Sequence, residues 1–274
     1  MIPKIKILFV GGGNMTQAII AGLIAQGCIP ENIFVVDRHS EKCAALRARY
    51  QVQTSLTMAT VVSKADVIFL AIKPQGAKIA CEALRPLIAT RNPLIISVMV
   101  GITIGTLQLW LNDDLPIVRT MPNTPVVLQK GATGMFALSD LSEAHKKMAE
   151  TLMGAVGITA WLAKESDINI INALSGSGPA YYFYFVELMR NIAIEMGLTA
   201  DIAAMFAAQT IYGAAALVHQ GQHDVVELRQ QVTSKKGTTE AAIQVMEAND
   251  LESILRQAMQ ACATRALALS EAVR

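Results

Sequence analysis

Two short stretches of the chain carry residue types and spacings suited to chemistry. The first is Gly11-Gly12-Gly13-Asn14-Met15. It follows the apolar run Ile5, Ile7, Leu8, Phe9 and Val10, and Ala18, Ile19, Gly22, Leu23 and Ala25 then recur at helical spacing. Strand, glycine turn and helix in that order open a dinucleotide-binding fold. Gly11 makes the tight turn, Gly13 lets the backbone approach a pyrophosphate, and free N–H groups at the helix start meet its charge. Thr16 stands where a third Gly or Ala is usual. The bland alternative is a purely structural glycine turn. Against it, a second strand over 33–36 ends at Asp37, as the motif requires. The other stretch is Val232-Thr233-Ser234-Lys235-Lys236-Gly237-Thr238-Thr239-Glu240. A hydroxyl-rich turn entering a helix can hold a small carboxylate on its free N–H groups and hydroxyls. A well-capped helix, with Gly237 or Thr238 as cap, explains the same pattern. The two lysines weigh against that, because cations oppose the macrodipole there and an anion would relieve them.

Smaller candidates surround the first stretch. Asp37-Arg38-His39-Ser40 follows the second strand. An acid at this place holds the ribose hydroxyls of NAD, and a nearby Arg accommodates the 2′-phosphate of NADP. Arg38, with Ser40 as a hydrogen-bond donor, favours NADP(H), with NAD(H) as the alternative; a solvated loop with Ser40 as an N-cap is the plainer reading. The next buried strand, over 66–72, ends in Lys73-Pro74, where a lysine can touch a ribose or phosphate or simply lie in solvent. Met121-Pro122-Asn123-Thr124-Pro125 closes a further strand, over 117–121. Its prolines predict an extended, rigid loop that either lines a site or is a plain turn. His219 and His223 stand one helical turn apart, but no third ligand accompanies them and Gly221 lies between, so no metal is expected. Ser175-Gly176-Ser177-Gly178 does not follow a strand and is not a nucleophile elbow.

The elements that must position these residues change character along the chain. Up to residue 162, strands alternate with helices. Strands are expected over 94–98 and 157–162, an edge hairpin over 131–138, and helices over 41–50 and 142–153. After 163 no strand is expected. Pro179 suits a first helical turn, and Tyr181, Phe185, Leu188, Met189, Ile192 and Met196 recur at helical spacing until Gly197. Helices are expected over 199–219, 223–231, 238–246 and 251–272. The expectation is an α/β Rossmann-like N-terminal domain over 1–162 and an all-α C-terminal dimerisation domain over 163–274.

Composition narrows the partners. The 274 residues carry a net charge of +1, with a pI near 7.7, which speaks against nucleic acid and anionic membranes. Only 16% of residues are charged and 53% are hydrophobic, so a large core and a large subunit interface are expected. The uncharged stretches over 94–112 and 202–218 read as a buried strand, turn and helix start, and as a helix buried on most faces, rather than membrane spans. No leader is evident. Cys28, Cys43, Cys81 and Cys262 show no paired spacing and read as small buried residues of a reducing cytoplasm.

Five motifs together resemble one family. Gly11-Gly12-Gly13-Asn14-Met15, Ala71-Ile72-Lys73-Pro74, Met121-Pro122-Asn123-Thr124-Pro125, Ser175-Gly176-Ser177-Gly178-Pro179-Ala180-Tyr181 and Val232-Thr233-Ser234 with Gly237-Thr238-Thr239 are similar, in order and spacing, to the pyrroline-5-carboxylate reductases. The resemblance covers nearly the whole chain. It implies hydride transfer from NAD(P)H to the C=N carbon of pyrroline-5-carboxylate, giving L-proline. It also implies helices that interlock between two subunits, with dimers assembled into a decamer or another ring. By position it assigns the substrate to Ser234, Gly237, Thr238 and Thr239, with Thr239 on the ring nitrogen, and the nicotinamide side to Met121, Pro122 and Asn123. The cofactor falls to Gly11 through Met15, Arg38, Ser40, Ala71, Lys73 and Pro74. The chain departs from the family at Lys235-Lys236, where Pro-Gly is usual; Gly takes a positive φ freely and Lys does so reluctantly. Rival readings are another two-domain NAD(P)-dependent imine or hydroxyacid reductase, and a non-catalytic dinucleotide sensor. The first would use a lysine on a helix of the second domain, and the stretch 163–218 offers only Lys164.

Overall fold

Alternate residues of each buried strand serve opposite faces of one sheet, and this decides the architecture. A computed structural model describes residues 4–111 and 114–271. The last residues of the stretches expected over 94–112 and 251–272 lie outside them. The first part runs β1 (Ile7–Val10), α1 (Asn14–Ala25), β2 (Ile33–Val36), α2 (Ser40–Tyr50), β3 (Gln53–Ser55), β4 (Val67–Leu70), α3 (Ala77–Ile88), β5 (Leu94–Ser97), α4 (Ile104–Trp110), β6 (Ile117–Met121), β7 (Gly131–Phe136), α5 (Glu143–Gly154) and β8 (Gly157–Trp161). The eight strands form one sheet in the order β3-β2-β1-β4-β5-β6-β7-β8. Ile7, Phe9, Val35, Val67, Phe69, Ile96 and Val118 face α1 and α5. Leu8, Val10, Phe34, Ile68, Leu70, Ile95 and Ile117 face α3 and α4. Phe9 and Phe69 stack on adjacent strands with ring centroids 4.6 Å apart. Each such fully buried side chain contributes roughly 1.5–3 kcal/mol, so the centre of the sheet is its most secure part.

All pairings are parallel except that of β6 with β7. Parallel register aligns Val10 with Val36 and Leu70, Leu70 with Ser97, and Ser97 with Arg119. The carboxyl ends of these strands therefore share one edge of the sheet. Hydroxyl caps start two helices: Thr103 Oγ1 accepts from the Thr106 N–H ahead of α4, and Ser142 Oγ accepts from the His145 N–H ahead of α5.

Several expectations are corrected. The edge hairpin over 131–138 is an interior strand: β7 lies antiparallel to β6 and parallel to β8, and β8 takes the edge. The 131–157 pairing admits this because a Cβ on Gly157, at φ +152°, would collide with the backbone of Gly131. The loop over 122–125 is extended only as far as Asn123, because Pro125 enters a 3₁₀ turn spanning Thr124–Leu128. The short polar strand β3 was not expected, since Gln53-Thr54-Ser55 lacks an apolar face.

The remainder is helical: α6 (Asp167–Ile171), a π turn over Asn172–Gly176, α7 (Gly178–Glu195), α8 (Ala200–Gln220), α9 (Val225–Gln231), α10 (Thr238–Ala248) and α11 (Leu251–Glu271). The chain divides into two compact units, one of residues 1–177 with 262–274 and one of 178–261. The division at 177 falls after the expected border at 162, and the end of α11 belongs with the sheet unit. Gly221, in the left-handed region at φ +65°, ends α8 between His219 and His223. An Asp224–Glu227 capping box starts α9.

Helix α8 is not buried on most faces within one chain: only Ala203 and Ala207 are buried. It is long and apolar enough, by length and composition, to cross a membrane. Exposed Tyr182, Phe183, Tyr184, Met205, Phe206 and Tyr212 give α7 and α8 broad apolar surfaces. Surfaces of that extent mark an interface. Cys28, Cys43 and Cys81 are buried as expected, but Cys262 is only half-buried, its sulfur taking hydrogen bonds with Asn172 Nδ2 and Ser177 Oγ at 3.6 and 3.2 Å.

Candidate active site

Within the sheet unit, the expected cofactor residues gather where the parallel strands end. β1 runs into Gly11, whose φ of +105° only glycine adopts easily; a Cβ there would fall 2.5 Å from the Ala71 carbonyl oxygen. The Gly11 N–H donates to the Val36 carbonyl at 2.8 Å, and the Ala71 N–H donates to the Val10 carbonyl at 2.9 Å. The turns after β1, β2 and β4 are thereby locked together. Gly13 precedes α1 in extended conformation with no side-chain cap, and nothing lies within 4 Å of where its Cβ would be. Open space in front of an uncapped helix start is what a pyrophosphate needs, so the residues fit a dinucleotide. Thr16 has its own reason for replacing the third small residue: its buried hydroxyl donates to the Gly11 carbonyl at 2.6 Å and ties α1 to the turn.

Asp37 is heavily engaged at the end of β2. Its Oδ2 accepts from the Gly12 N–H at 2.9 Å, and its Oδ1 accepts from the His39 N–H at 2.9 Å and pairs with His39 Nδ1 at 2.8 Å. Burial pushes this carboxyl up, but the two backbone donors, the His39 ring and the charge of Lys42 outweigh burial and leave it below the ordinary carboxylate value. Arg38 and Ser40 are exposed beside it, and Arg38 has no ion pair among the described residues. Lys73 is exposed in extended conformation just ahead of a 3₁₀ turn that begins at Pro74.

Met121, Pro122 and Asn123 are buried at the end of β6. Asn123 Oδ1 accepts from the Ala132 N–H at 2.9 Å, so this side chain also fixes the passage into β7. A Cβ on Gly176 would lie 2.6 Å from Met121 Cε, so the π turn packs directly against Met121.

A residue missed from the sequence stands behind that loop. Arg119 of β6 is 2% exposed and pairs with Glu165 Oε1 at 3.0 Å. The same oxygen accepts from the Ile104 N–H at 2.8 Å, at the start of α4. Burial lowers the Arg119 pKa, against the pull of Glu165 in the other direction. A single charge inside the otherwise uncharged stretch over 117–121 was the available signal.

The second hydroxyl-rich stretch belongs to the helical unit. Ser234-Lys235-Lys236-Gly237 forms a turn closed by the Gly237 N–H on the Ser234 carbonyl at 2.9 Å. Lys236 takes the left-handed conformation at φ +62°, and its N–H donates to Glu240 Oε2 at 2.6 Å. Gly237 is the N-cap of α10, and no side chain caps that helix. Ser234, Lys235, Lys236 and Thr238 are exposed and Thr239 is half-buried, so the turn stays open to a small anion. Among the described residues no cluster of His, Cys, Asp and Glu suits a metal ion.

A sheet of this order with an open, uncapped glycine turn at its carboxyl edge defines a dinucleotide-binding oxidoreductase fold. Comparison with known proteins narrows the class. A family model described as pyrroline-5-carboxylate reductase dimerisation matches residues 165–269, and one described as NADP oxidoreductase, coenzyme F420-dependent, matches 6–101. Pyrroline-5-carboxylate reductase of Pseudomonas aeruginosa is 39% identical, with 97% of each chain covered. That of Haemophilus influenzae is 40% identical, with 94% of this chain and 95% of the relative covered. The structure of the reductase from Coxiella burnetii superposes with a TM-score of 0.92 at 40% identity, over 98% of this chain and 99% of that one. The Plasmodium falciparum pyrroline carboxylate reductase with NADP bound superposes with a TM-score of 0.87 at 25% identity, over 98% and 100%. The chain belongs to the pyrroline-5-carboxylate reductase family. Its N-terminal part is Rossmann-like and its helical C-terminal part is a dimerisation domain.

Proposed function

We propose that this chain reduces 1-pyrroline-5-carboxylate to L-proline with NAD(P)H, NADPH being preferred, as the last step of proline biosynthesis. The observation that carries the reading is full-length identity near 40% to reductases of that name, joined to a strand-end turn that fits a dinucleotide. When bound, the reduced nicotinamide supplies the hydride that ends on the imine carbon. The uncapped start of α1, with Gly11 through Met15, holds the pyrophosphate. Arg38 and Ser40 take the 2′-phosphate, and Ala71, Lys73 and Pro74 flank the ribose and phosphates. Met121, Pro122 and Asn123 bound the nicotinamide side. The turn from Ser234 through Gly237 and Thr238 holds the substrate carboxylate on free N–H groups, and the Thr239 hydroxyl meets the ring nitrogen. Hydride transfer needs two rings at contact distance, so positioning and charge placement carry most of the catalysis. The helices α7 and α8 bury their apolar surfaces in a dimer, and dimers associate into a ring such as a decamer. We place the protein in the cytoplasm, with no role for nucleic acid or membrane.

The residue assignment is tested at Thr239. Thr239→Ala lowers kcat/KM for the imine by ~10–100-fold, the effect of one polar contact to the reacting group, and leaves the Kd for NADPH unchanged. Unaltered steady-state kinetics would remove Thr239 from the site.

A further inference from the structure

The acid at the end of β2 is the residue that would read an unmodified ribose, yet in this chain its acceptors are largely spent. A carboxylate offers about four lone-pair sites. On Asp37, the two sites of Oδ1 are both occupied, by the His39 backbone N–H at 2.9 Å and by His39 Nδ1 at 2.8 Å. One site of Oδ2 is occupied by the Gly12 N–H at 2.9 Å. The Asp37 side chain is 10% exposed, so little of it remains for solvent or ligand. A pair of ribose hydroxyls needs two acceptor sites, and this carboxylate keeps about one, on Oδ2. Beside it, Arg38 and Ser40 are exposed and free of ion pairs among the described residues.

We propose that His39 is a specificity-determining positioning residue: its imidazole occupies the outer oxygen of Asp37, which masks the acid from a ribose 2′-hydroxyl and leaves the 2′-phosphate to Arg38 and Ser40. Two physical effects act in the same direction. The imidazole takes the acceptor that NADH would use. It also screens a carboxylate that would otherwise repel a phosphate of about −2 charge. His39 is half exposed, at 50%, and its side chain caps no helix N–H, so the ring has no other partner among the described residues. The backbone N–H of His39 keeps its own bond to Oδ1 whatever side chain follows. A substitution therefore frees one acceptor and leaves the turn standing. The inference rests on the dinucleotide reading of the β1–α1 turn and goes beyond it in naming what selects between the two dinucleotides.

The test is direct binding of NADPH and of NADH without substrate, followed by nucleotide fluorescence, for the intact wild-type protein, His39→Ala and His39→Gln. One charged-acceptor hydrogen bond changes an affinity by about tenfold. The expected result is that His39→Ala shifts the ratio of the two Kd values by about that factor toward NADH. His39→Gln, which keeps a donor for Oδ1, retains most of the wild-type ratio, and the thermal midpoint of both variants matches wild type. An unchanged Kd ratio in His39→Ala would overturn the proposal and leave the Asp37–His39 pair as a local fold contact. Equal losses for both nucleotides would overturn it too, by showing a structural role. Wild-type protein that binds neither nucleotide would instead bring down the dinucleotide reading beneath it.

Discussion

Lys236, like Gln51, Gln129 and Asp250, is a non-glycine residue in the left-handed region. A non-glycine residue at φ +62° is strained by on the order of 1 kcal/mol, because its Cβ crowds the following carbonyl. A glycine at that place would carry no such strain. Lys236→Gly should therefore raise stability toward urea by on the order of 1 kcal/mol, reduced by the larger chain entropy of glycine, and the bond from its N–H to Glu240 should survive. A fall in stability would mean that the lysine side chain makes a contact worth more than the strain. Asp37 gives a prediction with a definite sign. Its native pKa lies below the ordinary value, so its stabilising effect is full above the unfolded pKa of about 3.9 and is lost as pH falls through the native value. Asp37→Asn should thus cost stability at neutral pH, and the difference from wild type should vanish on acidification. A difference independent of pH across that acid range would show that charge is not what Asp37 contributes. At this scale the sequence was informative wherever backbone geometry restricts residue choice, as at Gly11. It was less so where a side chain bonds to a distant neighbour. Nothing next to Arg119 in the chain announces that its guanidinium closes on Glu165, a neighbour far along the sequence.

Among the elements, β6 carries a buried charge. Its Arg119 is buried against Glu165, and Glu165 also holds the first N–H of α4. Removing the acid strands a buried guanidinium. Glu165→Ala should lower the unfolding free energy by about 3 kcal/mol, the low end of the buried-pair range because Glu165 is 26% exposed. The double variant Arg119→Met, Glu165→Ala should recover most of that loss, since it removes the orphaned charge. Additive losses in the double variant would show that the two residues stabilise the fold independently. The central strands were legible because continuous apolar runs of four or five residues, bounded by turn residues, read as fully buried strands. The polar strand β3 was not, because its place comes from pairing with β2 and not from an apolar face. The interior position of β7 was hidden too: it depends on β8 packing beside it through Gly157, a tertiary fact. The π turn over 172–176 escaped notice for a similar reason, since its Gly176 packs against Met121 of β6.

In the whole molecule, the apolar balance of the chain is explained by two destinations. The sheet unit buries its share in two cores, one on each face. The helical unit leaves α7 and α8 apolar and exposed within a single chain, and the matching dimerisation family accounts for them. In the proposed dimer, α8 passes for a membrane span by composition because a helix that faces a partner's surface is apolar in the same way. Fold class and family were legible because the motifs are local and ordered. The two compact units divide at residue 177, with the end of α11 in the sheet unit. The central claim is the reduction itself, and one assay meets it most directly: purified protein is mixed with NADPH and pyrroline-5-carboxylate, with NADH in a parallel series, while absorbance of the reduced nicotinamide and formation of proline are followed together. The expected result is loss of NADPH in step with proline, faster than with NADH. Tight NADPH binding with no turnover of this imine would contradict it.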